Sequence, residues 1–126
     1  MANEMETVLL VDDEEIVVGV GKQMLEKLGY AVITATTRQE ALDIYRNNKD
    51  SIGLVVLDMV MPGMGAGDTC DELQAIDPAI RVLLSSGYGV DQQTSEILNR
   101  GCKGFIQKPF NIQVLSEKIG EVLEKA

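Results

Sequence analysis

Near its start the chain reads Val8-Leu9-Leu10-Val11-Asp12-Asp13-Glu14, a short apolar run stopped by acidic residues. An apolar run of this length, with no alternating polar residue, is typical of a strand that is buried on both faces of a sheet. Two further runs have the same form: Leu54–Leu57 is stopped by Asp58, and Val82–Leu84 is followed by Ser85-Ser86. Together these stretches predict the centre of a parallel sheet.

Helix-like segments alternate with the strands. Gly29 closes the segment Ile16–Leu28, and Thr37 with Glu40 has the spacing of a capping box before a second helix. The other predicted elements are the edge strand Ala31–Ala35, a short helix ended by Asp77-Pro78, the polar helix Asp91–Arg100, the strand Phe105-Ile106 and a helix capped by Asn111. Five βα units predict an α/β fold, a doubly wound five-stranded parallel sheet with helices on both faces.

Helical spacing also predicts which side chains face the core. The expected inward residues are Val17, Val20, Met24, Leu25 and Leu28 in the first helix, and Val114, Leu115, Ile119 and Val122 in the last. Gly19 and Gly21 lie inside the first helix, where they indicate close packing or a tolerated cost rather than a nucleotide-binding turn. The Pro- and Gly-rich stretch Met61–Gly67 is expected to be a loop.

Length and composition predict one soluble domain. The chain has 126 residues, of which 45% are apolar and 25% charged, so residues 1–126 are expected to share one core, with residues 1–6 as a flexible leader. The net charge of 11 − 20 = −9 disfavours direct binding to nucleic acid or to an anionic membrane. We expect a cytoplasmic protein with no membrane insertion, because no apolar run could span a bilayer and no signal-peptide pattern opens the sequence.

Two residue types narrow the chemistry. The chain contains no His, which excludes His-based triads, His metal sites and a phosphohistidine within it. Cys70 and Cys102 are far apart in the sequence and lack the CxxC spacing of a metal or redox motif. They are therefore expected to be buried thiols of a reducing compartment.

Polar side chains follow four of the predicted strands: Asp12 and Asp13 the first, Asp58 the third, Ser86 the fourth and Lys108 the fifth. Ligand sites of doubly wound sheets lie beyond the carboxyl ends of the strands, so these groups are expected to converge there. Taken alone, Asp12 and Asp13 are explained equally well by the positive end of the first helix, which acidic residues favour. The prediction therefore depends on the joint pattern.

Clustered carboxylates require a cation or a proton, since two like charges 4 Å apart repel by roughly 4 kcal/mol at an effective dielectric constant near 20. Oxygen ligands without His or Cys suit Mg²⁺ or Mn²⁺ better than Zn²⁺ or Cu²⁺. The hydroxyl of Ser86 and the ammonium of Lys108 can contact the oxygens of an incoming phosphoryl group. This set is what an aspartyl-phosphate mechanism requires, and Asp58 is the candidate nucleophile.

Four stretches resemble the receiver domain of two-component response regulators, and the resemblance covers essentially the full length of the chain. They are Val8–Glu14, Val55–Met64, Leu83–Tyr88 and Gly104–Phe110. The resemblance, which is to chemotaxis-type receivers, implies a flavodoxin-like fold with the strand order 2-1-3-4-5. It also implies a signalling switch rather than an enzyme, one that catalyses only its own phosphorylation and dephosphorylation.

The resemblance implies a role for each residue at the strand ends. Asp58 would accept a phosphoryl group from a phosphohistidine on a sensor histidine kinase or a phosphotransfer protein. Asp13, Asp58 and the backbone carbonyl of Val60 would bind Mg²⁺ directly, with Asp12 acting through water. Lys108 would pair with the carboxylate and then with the phosphoryl oxygens.

The resemblance also implies the parts of a switch. Ser86, rather than its neighbour Ser85, occupies the Thr/Ser switch position, because Gly87 and an aromatic residue follow it. Phe105 occupies the position of the switch aromatic, three residues before the lysine, although many members carry Tyr there. Pro109 follows the lysine where the family often has a cis peptide bond.

Two alternatives differ in class. A haloacid-dehalogenase-type phosphatase needs the pattern D-x-D after the first strand, whereas this chain has Asp12-Asp13-Glu14. A degenerate receiver would serve only as a docking module. Gly65 stands where the family commonly has an acidic residue, which affects partner contacts rather than chemistry. The output partner is not predicted, and we expect either a stand-alone receiver or a piece of a longer regulator or hybrid histidine kinase.

Overall fold

The computed structural model describes residues 7–61, 64–87, 92–99 and 101–124. The elements in these ranges are β1 (Thr7–Val11), α1 (Glu15–Lys27), β2 (Ala31–Ala35), α2 (Arg38–Asn48), β3 (Ile52–Asp58), β4 (Val60–Met61), β5 (Met64–Gly65), α3 (Ala66–Ile76), β6 (Val82–Ser86), α4 (Gln92–Asn99), β7 (Gly104–Gln107) and α5 (Ile112–Glu124). The leader predicted for residues 1–6 lies outside the described residues. Within the described ranges, none of the helices combines the length and the apolar character that crossing a membrane requires.

Five strands form one parallel sheet in the order β2-β1-β3-β6-β7. Counted along the main sheet, this is the predicted order 2-1-3-4-5, and the predicted doubly wound α/β fold is confirmed. In β1, Leu10 pairs with Thr34 on one side and with Val56 on the other. Residues 8–11 are all buried, as the uninterrupted apolar run predicts.

An apolar cluster lies on each face of the sheet, because successive strand residues point to opposite faces. Neighbouring residues of β1 show the alternation: Leu9 belongs to one cluster and Val8 to the other. Helices α2, α3 and α4 cover the first face, and α1 and α5 cover the second. Among the buried helical side chains in these clusters are Tyr45, Leu73 and Ile97 on the first face, and Leu25 and Ile119 on the second.

Three predicted helix ends are confirmed. Gly29 follows α1 with a φ of 100°, the left-handed conformation that glycine adopts without strain. The backbone N–H of Glu40 donates to the hydroxyl of Thr37 at 3.1 Å, which caps α2. The N–H of Val114 donates to the side-chain oxygen of Asn111 at 2.8 Å, which caps α5.

The predicted inward face of α1 is partly wrong. The helix buries Val18, Gly21 and Leu25, whereas Val20 is exposed. Gly21 sets this orientation, because a Cβ at that position would lie 2.9 Å from Cδ2 of Leu10. The helix therefore packs against β1 at Gly21, and the close packing predicted for this glycine is confirmed.

Two other expectations differ from the structure. The stretch Met61–Gly67 is not entirely loop, because Val60–Met61 and Met64–Gly65 form a short antiparallel pair and α3 begins at Ala66. Pro and Gly in a sequence favour a loop, but they do not exclude strand pairing beside them. In α5, Val114 is exposed rather than inward, since it lies in the first turn of the helix, at the edge of the covered face.

Candidate functional site

The polar residues predicted to converge do meet at the carboxyl edge of the sheet. Asp12 follows β1, Asp58 ends β3, Ser86 ends β6 and Lys108 follows β7. Backbone hydrogen bonds hold these ends together: the N–H of Lys108 donates to the carbonyl of Ser86 at 2.7 Å, and that of Asp12 to the carbonyl of Ala35 at 3.1 Å. The sheet itself therefore fixes the positions of the side chains.

Three carboxylates form a cluster at this edge. Each of Asp12, Asp13 and Asp58 offers an oxygen, and these oxygens lie within 4.8 Å of one another. Asp12 and Asp58 are each only 2% exposed, whereas Asp13 is exposed. The donor set is made of oxygens alone and has an open side at Asp13, which fits a hard divalent cation such as Mg²⁺.

Lys108 is the cation that the described residues bring into this cluster. Its Nζ donates to Oδ2 of Asp12 at 3.1 Å and to Oδ1 of Asp58 at 3.2 Å, and it lies 3.9 Å from Oε1 of Glu14. Burial alone would lower the pKa of Lys108, but its hydrogen bond to Asp12 and the charge of Asp58 outweigh burial and raise that pKa. The lysine is therefore a permanent positive charge at neutral pH.

The charges within the cluster do not balance. One ammonium against the three carboxylates of Asp12, Asp13 and Asp58 leaves 1 − 3 = −2. Coulomb repulsion in a partly buried site makes this excess costly, so the site favours an additional cation. The arrangement thus combines a buried carboxylate, an ammonium fixed by hydrogen bonds and an excess of negative charge that favours a further cation.

Asp12 is oriented from two sides. Its Oδ2 accepts from Lys108, and its Oδ1 accepts from the backbone N–H of Glu14 at 3.0 Å, just before α1 begins. Both oxygens of this carboxylate are therefore already hydrogen-bonded. Glu14 was not among the predicted site residues, although its place as the third acid in the run 12–14 was the available signal.

Strand alternation separates the two candidate switch serines. Both are buried, but Ser86 lies on the same face of β6 as Leu84, whereas Ser85 lies on the opposite face. Leu84 pairs with Phe105 of β7, and partners in a parallel pair share a face. Ser86 and Phe105 therefore lie on one face, as the predicted switch requires. Phe105 is partly buried against the apolar cluster of that face.

Two further expectations concern the surroundings of the site. The Lys108-Pro109 peptide bond is cis, as the resemblance implies. Val60 begins β4 two residues after Asp58, but the role of its carbonyl as a ligand stays a prediction. Tyr88, which follows the serine stretch, lies outside the described residues.

An acid cluster with a lysine at the carboxyl edge of a five-stranded doubly wound sheet defines the class of receiver-like α/β proteins. The chain belongs to the response regulator receiver domain family, which it matches over residues 8–120. It is thus a receiver domain of two-component systems, a family of signalling switches rather than classical enzymes. The motifs quoted from the sequence all lie within this match.

Individual relatives agree with this assignment. The chain is 36% identical to the sensor kinase CckA of Brucella abortus over 94% of its own length, and 34% identical to the chemotaxis protein CheY of Thermotoga maritima over 91%. A crystal structure of a CheX-CheY-BeF3-Mg complex from Borrelia burgdorferi matches with a TM-score of 0.88 and 30% identity, over 93% of this chain and 88% of that one.

The chain differs from its relatives in how much of each it spans. It covers 95% of the Thermotoga CheY but only 13% of CckA, and about half (51%) of the probable transcriptional regulator ycf27 of Porphyra purpurea. The receiver unit is therefore shared by proteins of different overall architecture. The activity of any larger protein does not follow from this match.

Proposed function

We propose that this receiver domain is a phosphoacceptor in a two-component phosphorelay, with Asp58 as the residue that takes the phosphoryl group. The observation that carries the proposal is the ammonium of Lys108, which bridges the buried carboxylates of Asp12 and Asp58 at 3.1 and 3.2 Å. This contact joins residues from three distant parts of the chain at one edge of the sheet. An isolated structural ion pair would not need the third carboxylate, that of Asp13.

The transfer step uses few groups. A carboxylate oxygen of Asp58 attacks phosphorus of a phosphohistidine on the partner, the P–O bond forms, and the P–N bond breaks with its electron pair going to the imidazole nitrogen. The Nζ of Lys108 lies 3.2 Å from Oδ1 of Asp58, so its ammonium can contact the oxygens of the arriving phosphoryl group and stabilise their negative charge. Because Asp58 is 2% exposed, only a small group such as a phosphoryl reaches it.

A divalent cation completes the proposed site. Asp13, Asp58 and the carbonyl of Val60 would hold Mg²⁺ directly, and Asp12, whose two oxygens are already hydrogen-bonded, would act through water. When bound, the cation supplies positive charge that offsets the carboxylates and the incoming phosphoryl oxygens. The excess of two negative charges in the cluster supports this assignment.

The proposed response starts at Ser86. Its hydroxyl would donate to a phosphoryl oxygen, and the space it leaves would admit Phe105, which lies on the same face of the sheet. The surface formed by α4, β7 and α5 would change as Phe105 turns inward. The phosphoryl group need only bind one of two existing states better than the other.

A sensor histidine kinase or phosphotransfer protein is the proposed phosphodonor, and the cytoplasm is the proposed compartment. The similarity to CckA, which is itself a sensor kinase, supports this class of partner. Ile16 is 82% exposed in the first turn of α1, immediately after the acidic cluster. A large apolar side chain exposed beside the site offers a contact for the partner that delivers the phosphoryl group.

Labelling with a small-molecule phosphodonor tests the proposal. Acetyl phosphate and Mg²⁺ should add one phosphoryl mass to the wild-type chain, as measured by intact-protein mass spectrometry, and Asp58→Asn should abolish the gain. Asp50→Asn is the matched control, because Asp50 is an exposed carboxylate in the turn two residues after α2 ends. Circular dichroism checks that each variant is folded.

The other outcomes identify the alternatives. If Asp58→Asn is labelled as strongly as the wild type, another residue is the nucleophile. Steady release of phosphate without a stable adduct would indicate a phosphatase. No reaction of a folded wild-type chain with acetyl phosphate or with a phosphorylated histidine donor would indicate a docking module.

A further inference from the structure

Two buried thiols that are distant in the sequence meet on one side of the sheet. Cys70 lies in α3 and Cys102 lies between α4 and β7, 32 residues away, and their Sγ atoms are 2.7 Å apart. A disulfide bond is about 2.05 Å long, so the two sulfurs need to approach by less than about 1 Å to form one. The sequence did not indicate this contact, because the two cysteines lack a CxxC spacing.

The surroundings keep the two sulfurs close. Both cysteines belong to the apolar cluster that α2, α3 and α4 cover. Backbone hydrogen bonds anchor the chain on each side of Cys102: the N–H of Gly101 donates to the carbonyl of Leu98 at 3.2 Å, and that of Lys103 donates to the carbonyl of Val82 at 2.8 Å. Folding already brings the two cysteines together, so forming the disulfide in the folded chain loses little further conformational entropy.

We propose that Cys70 and Cys102 are a redox modification site that forms a reversible intramolecular disulfide with a low-molecular-weight disulfide such as glutathione disulfide as the oxidant. The proposal does not depend on the phosphoacceptor function. Disulfides of reducing compartments are mostly transient or redox-sensing. A reversible bond of this kind is consistent with two thiols that α3 and the segment before β7 hold close enough to react.

The exchange has two steps. Cys102 is 8% exposed and Cys70 is 0% exposed, so the thiolate of Cys102 attacks the oxidant first and displaces one glutathione thiolate. The thiolate of Cys70 then attacks the Cys102 sulfur of the mixed disulfide, forms the Cys70–Cys102 bond and releases the second glutathione. Two protein thiols lose two electrons, glutathione disulfide gains them, and the released glutathiones take up the two protons.

The bond would connect α3 to the turn that leads into β7. It closes a loop of 32 residues and thereby restricts the unfolded chain. By linkage, the folded protein must favour the disulfide more than the unfolded protein does. For a loop of this length the equilibrium constant for oxidation should be about 500-fold larger in the folded chain.

Equilibration of the wild-type chain in glutathione redox buffers tests the proposal. Samples are prepared under native conditions and in concentrated guanidinium chloride, quenched with acid, unfolded, alkylated with iodoacetamide and weighed as intact proteins. The oxidised native chain should carry no alkyl group and be lighter by two hydrogen atoms than the unalkylated reduced chain. Dithiothreitol should restore two alkylatable thiols, and the folded chain should oxidise at an oxidant ratio about 500-fold lower than the unfolded chain.

Single variants provide the matched controls. Cys70→Ala should form only a mixed disulfide, whereas Cys102→Ala, which keeps the fully buried Cys70, should stay reduced under native conditions. The proposal is overturned if the native wild-type chain keeps two alkylatable thiols at every buffer ratio, or ends as a glutathione adduct. Oxidation no more favourable in the folded than in the unfolded chain would also overturn it. The wild-type measurement decides the matter even if a variant does not fold.

Discussion

Two polar clusters in this molecule differ in how many like charges they bring together. At the carboxyl edge of the sheet, Asp12 and Asp58 share the ammonium of Lys108 and lie beside a third carboxylate, that of Asp13. On the first face, the hydroxyl of Tyr45 donates to Oδ2 of Asp77 at 3.2 Å. The second cluster contains one carboxylate and neutral donors, since Oδ1 of Asp77 accepts from a backbone N–H.

The difference separates a structural contact from a site. Tyr45 and Asp77 satisfy one another and connect α2 to the end of α3, so nothing further needs to bind there. The edge cluster brings three carboxylates to one ammonium, and the repulsion among the carboxylates favours a further cation. Hydrogen bonding alone therefore does not distinguish the two clusters, but the number of carboxylates brought together does.

The largest effect is expected when Lys108, whose ammonium bonds to both buried acids of the edge cluster, is replaced. Lys108→Met leaves the buried carboxylates of Asp12 and Asp58 without their cation, which should lower the free energy of unfolding by about 3 kcal/mol in the presence of EDTA. Urea denaturation measures the change. Lys103→Met, which removes an exposed lysine five residues away, should change it by less than about 0.5 kcal/mol. Equal stability of the two variants would contradict the assigned contact.

Removing the exposed acid should have a smaller effect of opposite sign. Asp13→Asn eases the repulsion within the cluster, so the variant without metal should melt at a slightly higher temperature than the wild type. It should also bind Mg²⁺ about tenfold more weakly, because a predicted ligand is lost. Melting temperatures over a range of MgCl₂ concentrations at constant ionic strength measure both effects. A titration identical to that of the wild type or of Asp50→Asn would refute Asp13 as a ligand.

The smallest effect is expected at the contact between Tyr45 and Asp77. Tyr45→Phe should cost about 1 kcal/mol, the typical value of one hydrogen bond, and should not alter Mg²⁺ binding. Burial, the charge of Asp77 and the hydrogen bond to Asp77 raise the pKa of Tyr45 above its ordinary value of 10.0. The stability that this shift contributes is fully present below pH 10 and is lost as the pH rises further.

Urea denaturation at alkaline pH checks this sign. The wild-type chain should lose unfolding free energy above pH 10, and Tyr45→Phe should lose less over the same range. Lys108 also has a raised pKa and contributes a similar loss that begins near pH 10.5, so it should remain in the variant. A variant with the full wild-type loss would mean that Tyr45 titrates normally in the folded protein.

The sequence predicts the edge cluster well because the cluster depends on strand ends. Uninterrupted apolar runs identify the buried strands, and the acids and serines that stop them mark one edge of a parallel sheet. The positions of Asp12, Asp58 and Lys108 follow from that geometry. The strand order does not follow from the runs themselves, and it was predicted through the family resemblance.

Helix orientation was harder to predict because α1 has apolar residues on more than one face. Val17, Val18 and Val20 allow several inward faces at the helical period, and the one adopted depends on how closely Gly21 packs against Leu10. The contact between Cys70 and Cys102 depends on how α3 packs beside the turn before β7. Contacts of this kind are set by tertiary packing, which local patterns do not encode.

The most direct test of the phosphoacceptor site is a crystal structure of the chain grown with Mg²⁺ and beryllium fluoride, a mimic of a phosphoryl group. We predict that beryllium is bonded to a carboxylate oxygen of Asp58, that Lys108 and Ser86 each contact a fluoride, and that the metal lies against Asp13. Beryllium fluoride bonded to any other carboxylate, or a bound group that neither Lys108 nor Ser86 touches, would contradict the account.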